Sequence, residues 1–344
     1  MTHRVAFLGL DKAWAASIIG PMDALRVANR IAQGISGEIE GNSQSPLFDV
    51  QLITLDGDAI ACEGGVQLGG ELVKADDYHQ RQILFVPSFN IGSGQDVEAV
   101  IESWQPGIKW LKANAESFEL VVGGCSGVYL LAEAGLLAEQ SVTTAWWLER
   151  HFQRNFGEQG CSIVEGALCV RSGRYITGGG SSSFYDVVLR LVEERAGKHM
   201  ARLLAKYLLV DNQRLSQAPY AILSQVDNED PVVRKAEQWI RRHLAEDFRI
   251  DDIADHCAVS SRTLIRRFQK SLSESPQAFT QRLRIEKSKI LLETTQLRLS
   301  EIVQRVGYND ESAFRRLFKK YCKVSPREYR RRFNPAVMVD EEAA

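Results

Sequence analysis

The last third of this 344-residue chain carries one pattern twice. Val259, Leu264 and Phe268 recur as Tyr308, Phe314 and Phe318, and Ser275-Pro276-Gln277-Ala278-Phe279 recurs as Ser325-Pro326-Arg327-Glu328-Tyr329. The offset is 49 residues before a turn and 50 after it. A period of this length usually marks a solenoid or a propeller, but those need more than two copies. What the chain must fold into is therefore a small unit duplicated once.

Each copy reads as a helix-turn-helix. In the first, Ile253, Ala254, Cys257 and Val259 recur at helical spacing, and Ala254 is small where two helix backbones must approach. Ser260 or Ser261 can then cap a second helix running to about Lys270, its side-chain oxygen accepting a free backbone N–H. Leu264 and Phe268, four apart, face the partner helix, which leaves Arg262, Ile265, Arg266 and Gln269 pointing outward. The second copy has Ile302, Val303, Val306 and Gly307, a turn at Tyr308-Asn309-Asp310 that is one residue longer, and a helix from Glu311 to Lys320. Phe314 and Phe318 anchor that helix, so Glu311, Ser312, Arg315, Arg316 and Lys319 face out. Between the copies, Gln277–Glu293 predicts a helical strut of roughly 25 Å. Such a strut can hold two recognition helices about one DNA turn apart, for successive major grooves.

Charge distribution separates this reading from one of ordinary amphipathic helices with solvated faces. From Asn228 to Phe333 there are 24 Lys and Arg against 15 Asp and Glu, whereas the rest of the chain has 18 against 29. The near-neutral total of −2 thus hides a basic module on an acidic body. Phosphate neutralisation and counterion release favour that polarity.

The segments 259–268 and 307–320, closed by Val324-Ser325-Pro326-Arg327-Glu328-Tyr329-Arg330, resemble the two halves of an AraC/XylS-type transcription-regulator domain. The resemblance covers about 100 residues. It implies binding to double-stranded promoter DNA through both recognition helices, contact with RNA polymerase, and activation in response to a small-molecule effector. By position, the expected DNA-binding residues are Arg262, Ile265, Arg266 and Gln269 in the first helix and Glu311, Ser312, Arg315, Arg316 and Lys319 in the second. Arginine paired to guanine is the commonest specific contact. Glu311 can accept from cytosine N4 or simply neighbour the helix cap.

The first 215 or so residues alternate strand and helix signals. Strands are expected at Val5–Leu10, Phe48–Leu55, Gln82–Val86 and Leu120–Val122. Helices are expected near Ile18–Gln33, Asp96–Asn114, Val128–Glu133, Trp146–Phe156, Phe184–Arg195 and Ala201–Leu209. This alternation predicts an α/β domain, a parallel flavodoxin-like sheet with helices on both faces, over residues 1–212. A polar linker follows at 213–230, part of which can pack on the first domain, then an all-α domain at 231–333 with two helix-turn-helix subdomains. Residues 334–344 read as an acidic, disordered tail. The start of the chain carries no signal-peptide pattern and no apolar run reaches membrane-spanning length, which predicts a cytoplasmic protein without a membrane association. Six cysteines at 62, 125, 161, 169, 257 and 322 have neither disulfide-framework nor zinc spacing, so reduced thiols and no metal or other cofactor are expected.

One further segment has chemical potential. Leu120-Val121-Val122-Gly123-Gly124-Cys125-Ser126-Gly127-Val128 is an apolar strand, a glycine-flanked turn and a helix start, the pattern of a nucleophile elbow. A thiol there meets the helix N-terminus, which favours thiolate. With most of residues 4–195, the elbow resembles the class I glutamine amidotransferase-like fold in its PfpI-protease-like branch, and Ala132–Leu137 fits the version fused to AraC-type domains. The resemblance places a histidine after the elbow in catalytic relatives. Here that stretch reads Thr143-Thr144-Ala145-Trp146-Trp147, and Ala145 cannot relay a proton.

The expected use of this domain is ligand sensing and homodimerisation without catalytic residues. Asp23, Ser88, Asn90, Cys125, Ser126, Trp146, Gly179 and Ser181 are the candidate ligand residues at the strand ends. Gly178–Gly180 lacks the Lys and Ser/Thr pattern of a P-loop and reads as a turn. Trp146 and Trp147 can stack on a ligand or pack in a core. Two alternatives remain open on sequence: a Cys-dependent hydrolase or amidotransferase with a DNA-binding appendage, and a thiol redox-sensing regulator.

Overall fold

The computed structural model describes residues 2–40, 45–69, 73–79, 82–91, 97–210, 214, 216–222 and 230–334. The chain separates into two compact units, Met1–Gln217 and Ala218–Ala344.

The first unit is built on a seven-stranded sheet. Its strands are β1 (His3–Gly9), β2 (Phe48–Thr54), β5 (Val73–Lys74), β6 (Ile83–Val86), β7 (Leu120–Gly124), β10 (Cys169–Ser172) and β11 (Tyr175–Gly178), in the order β10-β11-β7-β6-β1-β2-β5. Two-residue strands form small ladders beside it: β3 (Ile60–Ala61) with β4 (Gln67–Leu68), and β8 (Ser141–Val142) with β9 (Ser162–Ile163). The four expected strands are its centre and pair in parallel, Val5 beside Val50 and Ile83, and Ile83 beside Leu120. All four residues of β6 are buried, as a strand covered on two faces requires. At one edge the sheet is not parallel, because β10 and β11 form an antiparallel hairpin whose second strand pairs with β7. These two strands were absent from the expected set. Each is four residues long, too short to show a period.

Helices α1 (Ala15–Glu40) and α6 (Phe184–Tyr207) pack together so closely that a methyl on Gly20 would enter the Phe184 ring. The helix expected at 96–114 is broken into α2 (Val97–Ser103) and α3 (Gln105–Asn114), with Pro106 in the first turn of α3, where its missing N–H costs nothing; residue 96 lies outside the described residues. Helix α4 (Gly127–Glu133) packs on β6, β7 and α3. The helix expected from Trp146 starts later, as α5 (Glu149–Phe156). The two helices expected at 184–195 and 201–209 are one element, α6, interrupted at Gly197, which has φ 86° and ψ 164°.

The second unit contains α7 (Pro231–Arg242), α8 (Ile250–His256), α9 (Ser261–Leu272), α10 (Pro276–Thr294), α11 (Leu299–Arg305), α12 (Glu311–Cys322) and α13 (Pro326–Phe333). It has two hydrophobic cores. One gathers Val233, Ile240, Ile253, Leu264 and Phe268, the other Ile302, Val306, Phe314, Phe318 and Tyr329. The strut α10 belongs to both, giving Phe279 and Leu283 to the first core and Ile285 and Leu292 to the second. Burying an aromatic side chain such as Phe268 or Phe318 stabilises by roughly 1.5–3 kcal/mol, so α10 is held from both sides.

Two boundary expectations change. Of the stretch 213–230, Arg214, Ser216 and Gln217 are bonded into the first unit, while Ala218–Tyr220 forms a turn of the second, with Tyr220 edge-on to Phe333. Residues 213, 215 and 223–229 lie outside the described residues. Asn334, assigned to the acidic tail, is buried and its amide donates to Leu292 O and Thr295 O at 2.9 and 3.2 Å. It closes the C-terminal end of α10, and the rest of the expected tail, 335–344, lies outside the described residues.

Candidate nucleic-acid interface and strand-end site

Caps and turns set the two recognition helices. Ser260, not Ser261, caps α9 by accepting from Thr263 N–H at 3.2 Å. Asp310, which stands where the first copy has Ser260 and follows the extra residue Asn309, caps α12 by accepting from Ser312 N–H and Ala313 N–H at 2.7 and 3.0 Å. Ser275 and Ser325 cap the helices that follow, each with proline next, satisfying a free N–H and pre-setting φ. The preceding helices match as well: Arg249 N–H donates to Asp252 and Arg298 N–H to Glu301.

The burial pattern of α9 repeats in α12 position by position. Arg262, Ile265, Arg266 and Gln269 are exposed, as are Ser312, Arg315, Arg316 and Lys319, while Glu311 is half-buried. Ile265 is 42% exposed, an apolar side chain that a thymine methyl can cover. Arg262, Ile265, Arg266 and Gln269 line one continuous concavity together with Lys270. Glu311 is committed within its own helix, because Arg315 Nε and Nη2 donate to its Oε1 at 2.9 and 2.6 Å.

Three residues that hold the interface escaped sequence reasoning. Arg284, on the strut, donates to Leu244 O, Glu246 O and Gly307 O at 2.7–3.0 Å and lies over the rings of Phe248 and Tyr308. It ties the turn regions of both halves to one side chain. Asp230 caps α7 and accepts from Arg267 of α9 at 3.0 Å. Nothing in local spacing signals either contact, since the partners are 23 to 40 residues apart.

In the first unit the elbow is formed as expected. Cys125 has φ 52°, the left-handed region, and its N–H donates to Gly178 O at 2.9 Å. Gly127 must be glycine, because a Cβ would sit 2.5 Å from Pro87 O. Ser126 Oγ donates to Phe89 O and accepts from Phe89 N–H, which fixes the loop after β6. The expected thiolate is not favoured. Burial pushes the Cys125 thiol up from its ordinary value, outweighing the lowering by hydrogen bonds from Ser126 and Ser181. Ala145 is fully buried, and Thr144 Oγ1 donates to Cys125 O at 2.7 Å.

Of the candidate ligand residues, Ser88, Cys125 and Ser181 line one cavity, with Ser17, Pro21 and Phe184. The cavity holds about 20 Å³, room for about one water. Ser126 is spent on Phe89. Asp23 is exposed and pairs with Arg26 one turn along α1, and Asn90 is half-buried. Trp146 is half-buried and edge-on to Trp147. The Trp146 backbone N–H and Gly179 both meet Gln217, a residue of the expected linker.

Two capped recognition helices with exposed basic faces, set on one strut, define a helix-turn-helix DNA-binding regulator. Residues 253–332 match the helix-turn-helix domain family. The chain is 22% identical to the HTH-type transcriptional regulator GbdR of Pseudomonas aeruginosa, over 95% of its own length and 83% of that protein. It is 23% identical to the HTH-type transcriptional regulator CdhR of the same species, over 96% and 92%. A THiJ/PfpI family protein from Pseudomonas syringae shares 16% identity and a TM-score of 0.48, with 70% of this chain and 87% of that one covered. The chain is thus similar over nearly its whole length to transcription regulators, with the helix-turn-helix match in its second unit. Among the described residues no helix is long and apolar enough to cross a membrane.

Proposed function

We propose that the chain is a metabolite-responsive activator, in which the first unit senses a small effector without catalysis and dimerises, and the second reads promoter DNA and meets RNA polymerase. A protein with this task works in the cytoplasm, where promoter DNA lies. Supporting the sensing role is the elbow itself: a strand-end site of catalytic shape in which burial disfavours the Cys125 thiolate and Ala145 stands where a base is needed. Without a base, acyl transfer lacks both thiol activation and leaving-group protonation. Effector control then requires unequal affinity for the DNA-competent and incompetent arrangements. The base-reading residues are Arg262, Ile265, Arg266 and Gln269 in one helix and Ser312, Arg315, Arg316 and Lys319 in the other, with Glu311 setting Arg315.

The test is footprinting of the full chain on DNA upstream of its own gene, with and without amino acids, amines and other small nitrogen metabolites that raise its melting temperature. A protected site of two unlike half-sites, with occupancy changed by one metabolite, is the expected result. Protection without sequence preference, or amide or ester turnover that disappears in Cys125→Ala, overturns the reading.

A further inference from the structure

Gln217 is a polar residue in a polar stretch, yet it is only 3% exposed. Its carboxamide bonds the backbone on either side of Ala145, at Thr144 and Trp146. Nε2 donates to Thr144 O at 2.9 Å and to Ala167 O at 2.8 Å, while Oε1 accepts from Trp146 N–H at 3.2 Å. Both amide hydrogens and one oxygen lone pair are thereby used, by backbone groups on three sides. The backbone of Gln217 is held too, its N–H donating to Gly166 O at 2.7 Å, an oxygen that also accepts from Ser216 Oγ. Arg214 pairs with Asp186 of α6 at 2.9 Å. The floor of the slot is Gly179, where a Cβ would land on the Gln217 carboxamide.

This is a built site for one chemical group. Two carbonyl oxygens beside one N–H match a planar group with two N–H donors on one nitrogen next to one acceptor oxygen, which is a primary carboxamide. A carboxylate of the same shape would set one oxygen against both Thr144 O and Ala167 O with no proton to share. Emptying the slot leaves the Trp146 N–H without this acceptor and Thr144 O with only a long 3.5 Å bond from Thr143 Oγ1, while Ala167 O keeps Thr143 Oγ1 at 2.8 Å, so the slot favours being filled.

We propose that the slot is a carboxamide-binding site which the chain fills with its own Gln217, and that a small primary amide competes for it, freeing Arg214, Ser216 and Gln217 from the first unit. Gln217 is the last residue of that unit, so the slot's occupant sets how much chain is tied down before the DNA-binding unit begins. The slot stands on its own geometry; its use as a signal rests on the sensing role proposed above.

Two substitutions in the full chain separate the possibilities. Gln217→Ala empties the slot, and Gly179→Ala evicts the side chain while filling the slot with its own methyl. In both, backbone amides of the 214–222 segment should exchange with deuterium about tenfold faster, the equivalent of losing two net hydrogen bonds. Propionamide should raise the melting temperature of Gln217→Ala saturably, do nothing for Gly179→Ala, and be matched in neither by propionate. Unchanged exchange in both variants overturns the latch, and absence of a saturable propionamide effect in Gln217→Ala overturns the carboxamide site. Should Gln217→Ala fail to fold, exchange in Gly179→Ala decides. If propionamide binds but no metabolite alters DNA occupancy, the slot stands and the sensing role fails; a metabolite response with an unmoved 214–222 segment is the reverse case.

Discussion

Residues 261–279 and 311–329 bury and expose the same positions throughout, yet they share only Arg266/Arg316, Phe268/Phe318, Lys270/Lys320, Ser275/Ser325 and Pro276/Pro326. What the two halves keep in common is what holds the unit: one ring, one cap and one proline, with two basic residues. The outward positions diverge, Arg262 against Ser312, Ile265 against Arg315, Gln269 against Lys319. Supports diverge too. The first half leans on an ion pair between Asp230 and Arg267, where the second has Leu317 in its core; the second has a glycine in its turn, where the first has Ala258. The side chains that hold the fold are thus a separate set from those proposed to read DNA, and each difference between the halves can be tested alone.

The turn gives the largest expected effect. Gly307 has φ 83°, and a Cβ there would sit 2.9 Å from Leu244 O and 3.0 Å from the Arg284 guanidinium. Gly307→Ala should destabilise the second unit by roughly 2–4 kcal/mol, from left-handed strain and the loss of Arg284 hydrogen bonds, seen as faster hydrogen exchange in α11 and α12. Next come the two arginines common to both halves. Arg266→Ala and Arg316→Ala should each cost roughly 1–3 kcal/mol of DNA affinity and relax specificity in one half-site only, measured by binding to sites mutated in either half. Equal losses on every sequence would make them phosphate contacts.

Asp230→Ala should cost about 1 kcal/mol and loosen α7 and α9 without touching α12. Although burial tends to raise the Asp230 carboxyl, the N–H groups of Val233 and Val232 and the Arg267 guanidinium hold it below its ordinary value. A depressed carboxylate stabilises above its unfolded pKa and loses that contribution as pH falls through the folded one. Acid should therefore loosen the first half before the second, and Asp230→Asn should abolish that order. Glu311→Ala should free Arg315 for phosphate, steepening the salt dependence of binding by about one, while the exposed pair itself contributes little to stability. The smallest effect is Ala258→Gly, which relieves φ 55° and should stabilise the first half by up to about 1 kcal/mol, bringing the two turns closer in exchange rate.

The features legible in the sequence were those with a local physical cause. Phe314 and Phe318 four apart, serine before proline, and apolar runs at Val5 and Ile83 declare themselves without a partner. Hidden features needed one. The β10–β11 hairpin is visible only through pairing with β7, and Pro106 split a helix whose apolar period continued across it. Arg284 works through carbonyls of distant turns, and Gln217 looks like linker because its partners, Thr144, Trp146 and Ala167, lie 50 or more residues away. Burial also reversed the expectation for Cys125: the helix start favours thiolate, but desolvation at 5% exposure outweighs it.

The shared burial pattern makes polarity on DNA a cheap property. Exchanging Arg262, Ile265 and Gln269 with Ser312, Arg315 and Lys319 alters no buried position, and position 266 matches 316 already. Such a transposed chain keeps both cores and all four serine or aspartate caps while addressing the half-sites in the opposite order. Orientation of this regulator on a promoter is therefore open to reversal by surface drift alone, on a scaffold that need not change.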